Sequence, residues 1–343
     1  MKKDILSLTE TELLSEIIAL GEKPYRAAQV FSWLHKNNGA DFENLSTAPK
    51  TLRLTLAENF YIPKIRRIKI LESDETKKYL FEIENDIIIE SVSMRYERGV
   101  SVCVSSQAGC RMGCVFCASG VSGLSRNLSA GEMLSQAYAI GREAGERIAS
   151  AVVMGCGEPL DNYDALIKFI EILNSKNGLN IGQRHITVST CGLVDRINDL
   201  AKLKLQINLA VSLHAPNDKI RKSLMPVARK YNMDELVSAC VNYSEKTGRR
   251  VSYEYALISG VNDSADHARE LGQRLKNTLC HVNIININEI KEASFRRSGE
   301  DTAKRFVSLL SDYGLAVTKR RELGGNINAA CGQLRSDTFK NEV

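Results

Sequence analysis

Apolar residues in the first sixty positions recur at the spacing of amphipathic helices. In residues 9–20, TETELLSEIIAL, the apolar side chains share one face, Thr9 can cap the first turn, and Gly21 follows the last turn. Residues 22–38, EKPYRAAQVFSWLHKNN, have the same periodicity and predict a second helix. We therefore expect a small helical N-terminal domain at residues 1–60.

The pattern changes to that of strands after this region. The stretches KKYLFEI at 77–83, DIIIESVSM at 86–94 and GVSVCVSS at 99–106 are rich in β-branched and aromatic residues and alternate in polarity. They predict strands. We assign residues 61–98 to a strand-rich adapter between the helical domain and the rest of the chain.

From residue 100 onward, predicted strands alternate with amphipathic helices. The strands are expected at 100–106, 150–155, 184–190, 205–213, 251–258 and 280–287, and the helices at 129–146, 162–176, 194–203, 232–247, 264–278 and 299–314. Six such units in series predict a parallel sheet with helices outside it, as a barrel or as a doubly wound sheet. In both architectures the active site lies at the carboxyl ends of the strands. We assign residues 99–335 to this domain and residues 336–343 to a tail.

The composition indicates an ordinary globular protein but says little about its partner. The chain has 343 residues, of which 43% are apolar and 25% charged, as in an ordinary globular protein. It has no signal peptide and no apolar run long enough to cross a membrane, so we expect a cytoplasmic protein without a membrane partner. The net charge of +5 is too small to indicate a polyanionic partner by itself.

Local clusters of basic residues are more informative than the net charge. They occur at 64–69, 249–253, 294–298 and 319–322. Arg26, Trp33 and His35 on the second predicted helix could also face a nucleic acid, although Trp33 is equally suited to a core. Each basic cluster fits either a solvated surface or a face that contacts an RNA backbone.

The strongest chemical signal is a loop with three cysteines. In residues 108–120, AGCRMGCVFCASG, the thiols of Cys110, Cys114 and Cys117 have the spacing C-x3-C-x2-C and directly follow the first predicted strand of the βα series. A structural zinc site would need a fourth ligand. Three thiolates can instead hold three irons of a [4Fe–4S] cube and leave the fourth iron open. The amino and carboxylate groups of S-adenosylmethionine (SAM) suit that open iron. A zinc site remains the alternative.

Other short motifs follow the later strands. MGCGEPLDN at 154–162 has glycines that let the backbone approach a ligand, and Glu158 can accept a hydrogen bond from an amino group. HITVSTCG at 185–192, SLHAPND at 212–218 and CHVNIININE at 280–289 end the next strands with polar side chains. NINAACGQLR, near the end of the chain, carries Cys331 in a segment of small residues.

These motifs together resemble the RlmN/Cfr family of radical SAM RNA methyltransferases. The resemblance covers nearly the whole chain and includes GEKPYRAAQVFSWLH, CVSSQAGCRMGCVFCAS, GEPLDN, ITVSTCG, SLHAPND and AACGQL. It implies a partial (β/α)6 radical SAM barrel and methylation of an adenine ring carbon. RlmN-type members act on carbon 2 of an adenine in 23S rRNA and in tRNA, whereas Cfr-type members act on carbon 8 of the rRNA adenine and confer antibiotic resistance. GEPL and SLHAPND favour the RlmN type.

The resemblance also implies roles for individual residues. Cys331 takes a methyl group from a first SAM, a second SAM supplies the 5′-deoxyadenosyl radical, and Cys103 closes a disulfide with Cys331 to release the product. Glu90 or Cys103 accepts the ring proton, and a solvent-facing Glu90 is the alternative. The implied SAM contacts are Gly157, Glu158, Ser189, Ser212, Leu213, His214 and Asn288. We further expect a monomer that receives electrons from a flavodoxin or a ferredoxin.

The sequence departs from the usual family pattern at four positions. Cys156 replaces a common Met, Asn286 and Glu289 replace two prolines, and Asn326 replaces a common Asp. None of these changes affects the three cluster cysteines, Cys103 or Cys331. They bear on the details of the substrate and not on the type of reaction.

Overall fold

The structure is a computed structural model. It describes residues 2–37, 39, 41–121, 123–288, 294–320, 324, 327–329 and 331–334, without the side chain of Asn85. Its elements in chain order are β1 Lys3–Asp4, α1 Glu10–Ala19, α2 Tyr25–Lys36, α3 Lys50–Asn59, β2 Phe60–Tyr61, β3 Arg66–Ser73, β4 Thr76–Ile83, β5 Ile87–Tyr96, β6 Gly99–Cys103, β7 Gln107–Gly109, β8 Leu124–Asn127, α4 Ala130–Ala144, β9 Ile148–Val153, α5 Tyr163–Asn174, β10 Ile186–Thr190, α6 Val194–Lys202, β11 Asn208–Ser212, α7 Asp218–Leu224, α8 Met233–Thr247, β12 Val251–Leu257, α9 Ala265–Leu275, β13 Cys280–Asn286, α10 Glu300–Ser311 and β14 Ala316–Lys319.

The N-terminal region is helical, as the sequence predicts. The hydroxyl of Thr9 accepts a hydrogen bond from the Glu12 backbone N–H, and the Glu12 carboxylate accepts one from the Thr9 N–H, so the predicted cap of α1 is a full capping box. The third helix, α3, was not individually predicted. Apolar residues of these helices belong to the same core as those of the βα units.

A single ten-stranded sheet organises the rest of the chain. Its order is β14-β13-β12-β11-β10-β9-β6-β5-β4-β3. In this sheet β6 and the strands from β9 to β14 pair in parallel, and β5, β4 and β3 extend the sheet in antiparallel fashion. Strands β7 and β8 pair with each other in a separate two-stranded sheet. With edges at β14 and β3, this is the expected partial barrel, and the strands of the predicted adapter continue its sheet.

Five elements of the adapter and the barrel domain were missing from the sequence prediction, among them the short strands β7 and β8. Strand β3 is an edge strand whose first residues are exposed, so it lacks the alternating apolar pattern. Strand β14 has only four residues and adds a seventh parallel strand to the six predicted. Helix α7 has seven residues and follows β11 directly. Within the described residues, no helix is both long and apolar enough to cross a bilayer.

The expectation that His35 faces a nucleic acid was wrong. His35 is fully buried on α2, and its Nδ1 lies 2.6 Å from the hydroxyl of Tyr138 on α4. Trp33, by contrast, is partly buried and packs against the core, which was the other interpretation of that residue. The His35–Tyr138 pair therefore joins the N-terminal helices to the first helix of the barrel.

The buried histidine makes stability depend on pH. Burial lowers the pKa of His35 from 6.5 to about 3. As the pH falls below 6.5, the unfolded chain binds a proton at this position that the folded chain does not bind, so the folded state loses stability. From the pKa difference, we expect a loss of about 2 kcal/mol in the free energy of unfolding at pH 5 relative to neutral pH.

Urea unfolding of wild type and His35→Gln at both pH values would measure this contribution. The variant should lack this part of the pH dependence, whereas His185→Gln, which changes an exposed histidine, should retain it. Equal pH dependence in wild type and His35→Gln would contradict the assignment of His35 as a buried neutral group.

Candidate active site

One cavity collects most of the predicted site residues at the carboxyl ends of the parallel strands. Its volume is about 170 Å³. Ten of the predicted residues line it, namely Cys110, Cys114, Cys117, Gly157, Glu158, Ser189, Ser212, His214, Asn288 and Cys331. The order of strands explains this grouping, because each motif follows a different strand of the same sheet.

The three cysteines are held on one compact loop. The Cys110 N–H donates to the carbonyl of Gly123 at 2.9 Å, and the Cys117 N–H donates to the carbonyl of Cys114 at 3.1 Å. Burial raises the pKa of all three thiols, that of Cys110 to about 12, and the charge of a neighbouring thiolate in the set raises each of the pKa values of Cys110 and Cys114 further. Three thiols so placed need a cationic group to become thiolates together.

An iron–sulfur cube fits these thiols better than a single ion does. Among the described residues, no group of three His, Cys, Asp or Glu side chains is arranged to hold one metal ion. A zinc ion would need its ligands to converge on one point. The thiolates of a cube bind different irons and stand further apart, so three thiols that line one side of a cavity suit a cube.

Glu158 is fixed beside the cysteine loop. Its two carboxylate oxygens accept hydrogen bonds from the backbone N–H groups of Leu160 at 3.0 Å and Cys191 at 2.7 Å. Burial raises the pKa of this carboxyl group. Gly157 has a positive φ of 103°, and a Cβ there would lie 2.5 Å from that of Gln107. The glycine is therefore required by the close approach of two backbone segments.

His214 is a neutral hydrogen-bond donor at the cavity wall. Its Nδ1 accepts a hydrogen bond from the Ala256 N–H at 3.0 Å, so the ring proton resides on Nε2. Burial lowers the pKa of His214 to about 3. Its ring packs edge-on against Phe116 of the cysteine loop. Leu213, in contrast, buries its side chain in the core, and its N–H donates to the Glu254 carbonyl at 3.0 Å.

Cys331 lies on a segment that is docked on the cysteine loop. The Ala118 N–H donates to the carbonyl of Gly332 at 2.8 Å, and the Ser119 hydroxyl donates to the carbonyl of Leu334 at 2.7 Å. The Asn288 amide donates to the carbonyl of Cys331 itself at 3.0 Å. These bonds hold the exposed thiol of Cys331 at the rim of the cavity.

A second cavity lies next to the first and brings in Cys103. Cys331 lines both cavities, whereas Cys103, at the end of β6, lines only the second. Burial raises the pKa of Cys103 to about 12, and a charge on Cys331 would raise it further. Both residues are free thiols in the structure. Cys103 and Cys331 thus face one common space.

Glu90 has a different environment from the one expected of a surface residue. It is fully buried on β5, and its carboxylate lies 2.9 Å from the ammonium of Lys78. The solvent-facing alternative for Glu90 is therefore wrong. Lys78 also donates to the carbonyl of Asn328 at 3.1 Å, three residues before Cys331. Glu90 does not line either of the two cavities.

Two of the four unusual residues can be placed. Cys156 is fully buried behind the cysteine loop, and its N–H donates to the hydroxyl of Ser105 at 2.9 Å. Asn286 lines both cavities, and its buried side-chain oxygen has no hydrogen-bond partner among the residues that the structure describes. Glu289 and Asn326 lie outside the described residues.

Sequence reasoning missed Arg320 as a site residue. Its Nη1 lies 3.9 Å from the sulfur of Cys331 and 3.8 Å from a carboxylate oxygen of Glu254, and Arg320 lines both cavities. In the sequence it belongs to the basic cluster 319–322, which has the composition of a solvated surface. The available signal was its place directly after a strand, but β14 itself was not predicted.

The contribution of the buried Lys78–Glu90 pair to the stability of the fold can be measured. Lys78→Met would leave the Glu90 charge buried without its cation, and we expect it to reduce the free energy of unfolding by about 3–5 kcal/mol. The double variant Lys78→Met/Glu90→Gln should lose less, because no charge is then left unpaired. Urea unfolding measures both effects.

The neighbour of Lys78 on β4, Lys77, provides the matched control. Lys77 pairs with Glu72 at the surface, and Lys77→Met should cost less than about 1 kcal/mol. If Lys78→Met cost no more than Lys77→Met, the buried pair would not stabilise the fold.

Comparison with known proteins agrees with this geometry. Residues 104–272 match the family model of the radical SAM superfamily, and residues 3–62 match that of the ribosomal RNA large subunit methyltransferase N-terminal domain. The chain is 51% identical over 342 residues to a protein of Alkaliphilus oremlandii and 50% identical over 342 residues to one of Clostridium perfringens (strain 13), each named "Probable dual-specificity RNA methyltransferase RlmN", with 99% of both chains covered in each case.

A solved structure shows the same fold. The crystal structure of a radical SAM methyltransferase from Sphaerobacter thermophilus is 44% identical and superimposes with a TM-score of 0.93, covering 98% of this chain and 100% of that one. Similarity of this extent, together with the three thiols of the loop and the docked Cys331, leads to one conclusion. The chain is an enzyme and belongs to the RlmN family of radical SAM methyltransferases.

Proposed function

We propose that this enzyme methylates carbon 2 of an adenine in 23S rRNA and in tRNA, through a methyl group carried by Cys331. The observation that carries the proposal is that Cys331 lines two adjoining cavities, one with the three-cysteine loop and one with Cys103. A residue in that position can receive a group in the first cavity and pass it on at the second. The related proteins named RlmN support the same reaction.

The first cavity suits the cofactors that the radical SAM family implies, a [4Fe–4S] cluster and SAM. When bound, the cluster would supply the electron that cleaves SAM to a 5′-deoxyadenosyl radical. Cys110, Cys114 and Cys117 would hold the cluster. Glu158, Ser189, Ser212, His214 and Asn288 line the same cavity and would bind SAM, together with the backbone of Gly157 and Leu213. The neutral His214 can donate from Nε2 to an acceptor of SAM.

We assign the covalent chemistry to Cys331 and Cys103. The Cys331 sulfur takes the methyl group of a first SAM by displacement, and S-adenosylhomocysteine leaves. The radical from a second SAM would abstract a hydrogen atom from this S-methyl group, giving 5′-deoxyadenosine, and the carbon radical on Cys331 would add to the adenine ring. Loss of the ring proton and of one electron, which the oxidised cluster would accept, then restores the aromatic ring. Cys103 then attacks the Cys331 sulfur, so that a disulfide forms as the bond from that sulfur to the methylene carbon breaks. The released carbon takes the bonding electron pair and a proton and becomes the methyl group of the product. A reductant of the thiol class must restore both thiols for the next turnover.

Two groups were candidates for accepting the ring proton. Glu90 is ion-paired with Lys78 and lies outside the cavities, whereas Cys103 lines the cavity that adjoins Cys331. We infer that Cys103 is the better placed of the two; because burial raises its pKa, the Cys103 thiol must lose its own proton before it can accept the ring proton. In this assignment the Lys78–Glu90 pair holds the Cys331 segment in position through Asn328 and does not contact the substrate.

The RNA is expected to contact the N-terminal domain and the adapter as well as the active site. Of the basic residues suggested by the sequence, Arg66 and Arg67 are exposed at the edge strand β3, where they pair with Glu82 and Glu143. Arg26 lies over the ring of Tyr25, an arrangement that suits stacking against a base. We further propose a cytoplasmic monomer reduced by a flavodoxin or a ferredoxin.

Identification of the methylated nucleoside is the direct test. Anaerobically reconstituted enzyme should bind iron and sulfide and convert adenosine in 23S rRNA and tRNA to 2-methyladenosine, which chromatography coupled to mass spectrometry separates from 8-methyladenosine by comparison with standards. Formation of 8-methyladenosine would show the Cfr-type reaction instead. RNA that stayed unmodified while the cluster was fully assembled would contradict the proposed function.

The roles of Cys331 and Cys103 predict different defects. Cys103→Ala keeps the methyl carrier but lacks the resolving thiol, so a covalent protein–RNA species should accumulate. Cys331→Ala cannot form it, and neither can the double variant. Denaturing gel electrophoresis with labelled RNA detects the species, and Cys240→Ala, a change at a buried thiol of α8, is the control that should behave as wild type. Multiple turnovers by Cys331→Ala would refute the carrier role.

A further inference from the structure

A buried cation that no described carboxylate contacts lies next to the three-cysteine loop. Arg221 on α7 is fully buried, and an arginine side chain stays charged in proteins. Within the described ranges of the chain, no carboxylate forms an ion pair with it; the nearby Asp218 instead accepts a hydrogen bond from the Met233 N–H. Burying an unpaired charge costs several kcal/mol. In the described part of the chain, no anion therefore contacts the Arg221 guanidinium, and the Asp218 charge acts on it only from further away.

The hydrogen bonds of Arg221 are also incomplete. Its Nη2 donates to the carbonyl of Cys191 at 2.6 Å and to that of Ser212 at 3.4 Å. Its Nε and Nη1 are buried and have no hydrogen-bond partner in the described part of the structure. Carbonyl oxygens carry only partial charge, so these two bonds hold the guanidinium in place but do not neutralise it.

Helix α7 places this cation against the cysteine loop. The Val115 N–H donates to the carbonyl of Leu224, the last residue of α7, at 3.1 Å. Cys114 packs in the apolar cluster that contains Leu224 and Cys191. Arg221 does not line the cavity, which separates it from the proposed SAM contacts.

We propose that Arg221 is the buried counter-charge of the [4Fe–4S] cluster and raises its reduction potential. The inference rests on the cluster that the radical SAM family implies, and not on which adenine carbon is methylated. A cube held by three thiolates is negative, and it becomes one unit more negative when it accepts an electron. A fixed cation nearby stabilises the reduced form more than the oxidised form, and nearby charge is one of the means by which proteins set these potentials. Arg221 thus acts on the cluster through its charge and is not a catalytic residue.

A redox titration of the assembled enzyme tests the proposal. Anaerobically reconstituted wild type and Arg221→Gln would be titrated with dithionite and mediators, and the reduced cluster followed by electron paramagnetic resonance. At a fixed potential, the ratio of reduced to oxidised cluster should fall at least tenfold in Arg221→Gln, a shift of about 59 mV for one electron. Lys222→Gln removes the same charge from an exposed position on the same helix and should leave the potential unchanged.

The outcomes separate this inference from the proposed function. A full cluster with wild-type potential in Arg221→Gln would overturn the inference and leave the methylation proposal intact. Wild type that bound no cluster would overturn both.

Should Arg221→Gln fail to assemble a cluster, Arg221→Lys decides. Assembly in this variant, which keeps the charge, would support the inference. Failure of both variants would overturn it, because the guanidinium hydrogen bonds would then be what the fold requires.

Discussion

The site depends on the docking of the Cys331 segment against the three-cysteine loop through main-chain carbonyls. Ala118 and Ser119 donate to Gly332 and Leu334, and Asn288 donates to Cys331. None of these acceptors is a side chain, so the docking constrains the path of the chain more than the identity of its residues. It brings a thiol that follows the last strand next to thiols that follow the first strand of the parallel series. Without it, the cavity with the cysteine loop and the cavity with Cys103 would share no thiol.

The antiparallel extension of the sheet supports the same segment from the opposite side. Cys103 on β6 pairs in register with Val92 on β5, and β5 in turn pairs with β4, which carries Lys78. The buried ammonium of Lys78 binds the carbonyl of Asn328, so the strands before the barrel hold the chain that comes after it. A buried ion pair seldom adds stability compared with an apolar pair. Its use here is better explained by the need for a donor that reaches a main-chain carbonyl within an apolar layer.

The sequence predicted the chemistry of the site more accurately than its surroundings. The cysteine loop, Glu158 and His214 each follow a strand with a clear apolar pattern, and the topology of parallel sheets brings the ends of such strands together. Strand β14 is too short to have a period, and the outer face of β3 is charged, so neither gave a signal. The positions of Arg320 and Arg221 could not be deduced, because a basic residue in a sequence looks the same on a surface as beside a buried thiolate. Likewise, a helical pattern does not show which polar side chain will find a buried partner, as His35 does in Tyr138.

The edge strand β3 has a consequence for how copies of the chain meet. An edge strand presents unpaired backbone N–H and C=O groups, which can pair with the edge of a second molecule and start aggregation. The first half of β3 carries Arg66, Arg67 and Lys69 as exposed side chains. If two copies aligned these strands, cations would be brought into close proximity with cations, and the repulsion would oppose the pairing. The positive charges of β3, which suit contact with a polyanion, therefore also oppose pairing between β3 strands of two copies of the chain.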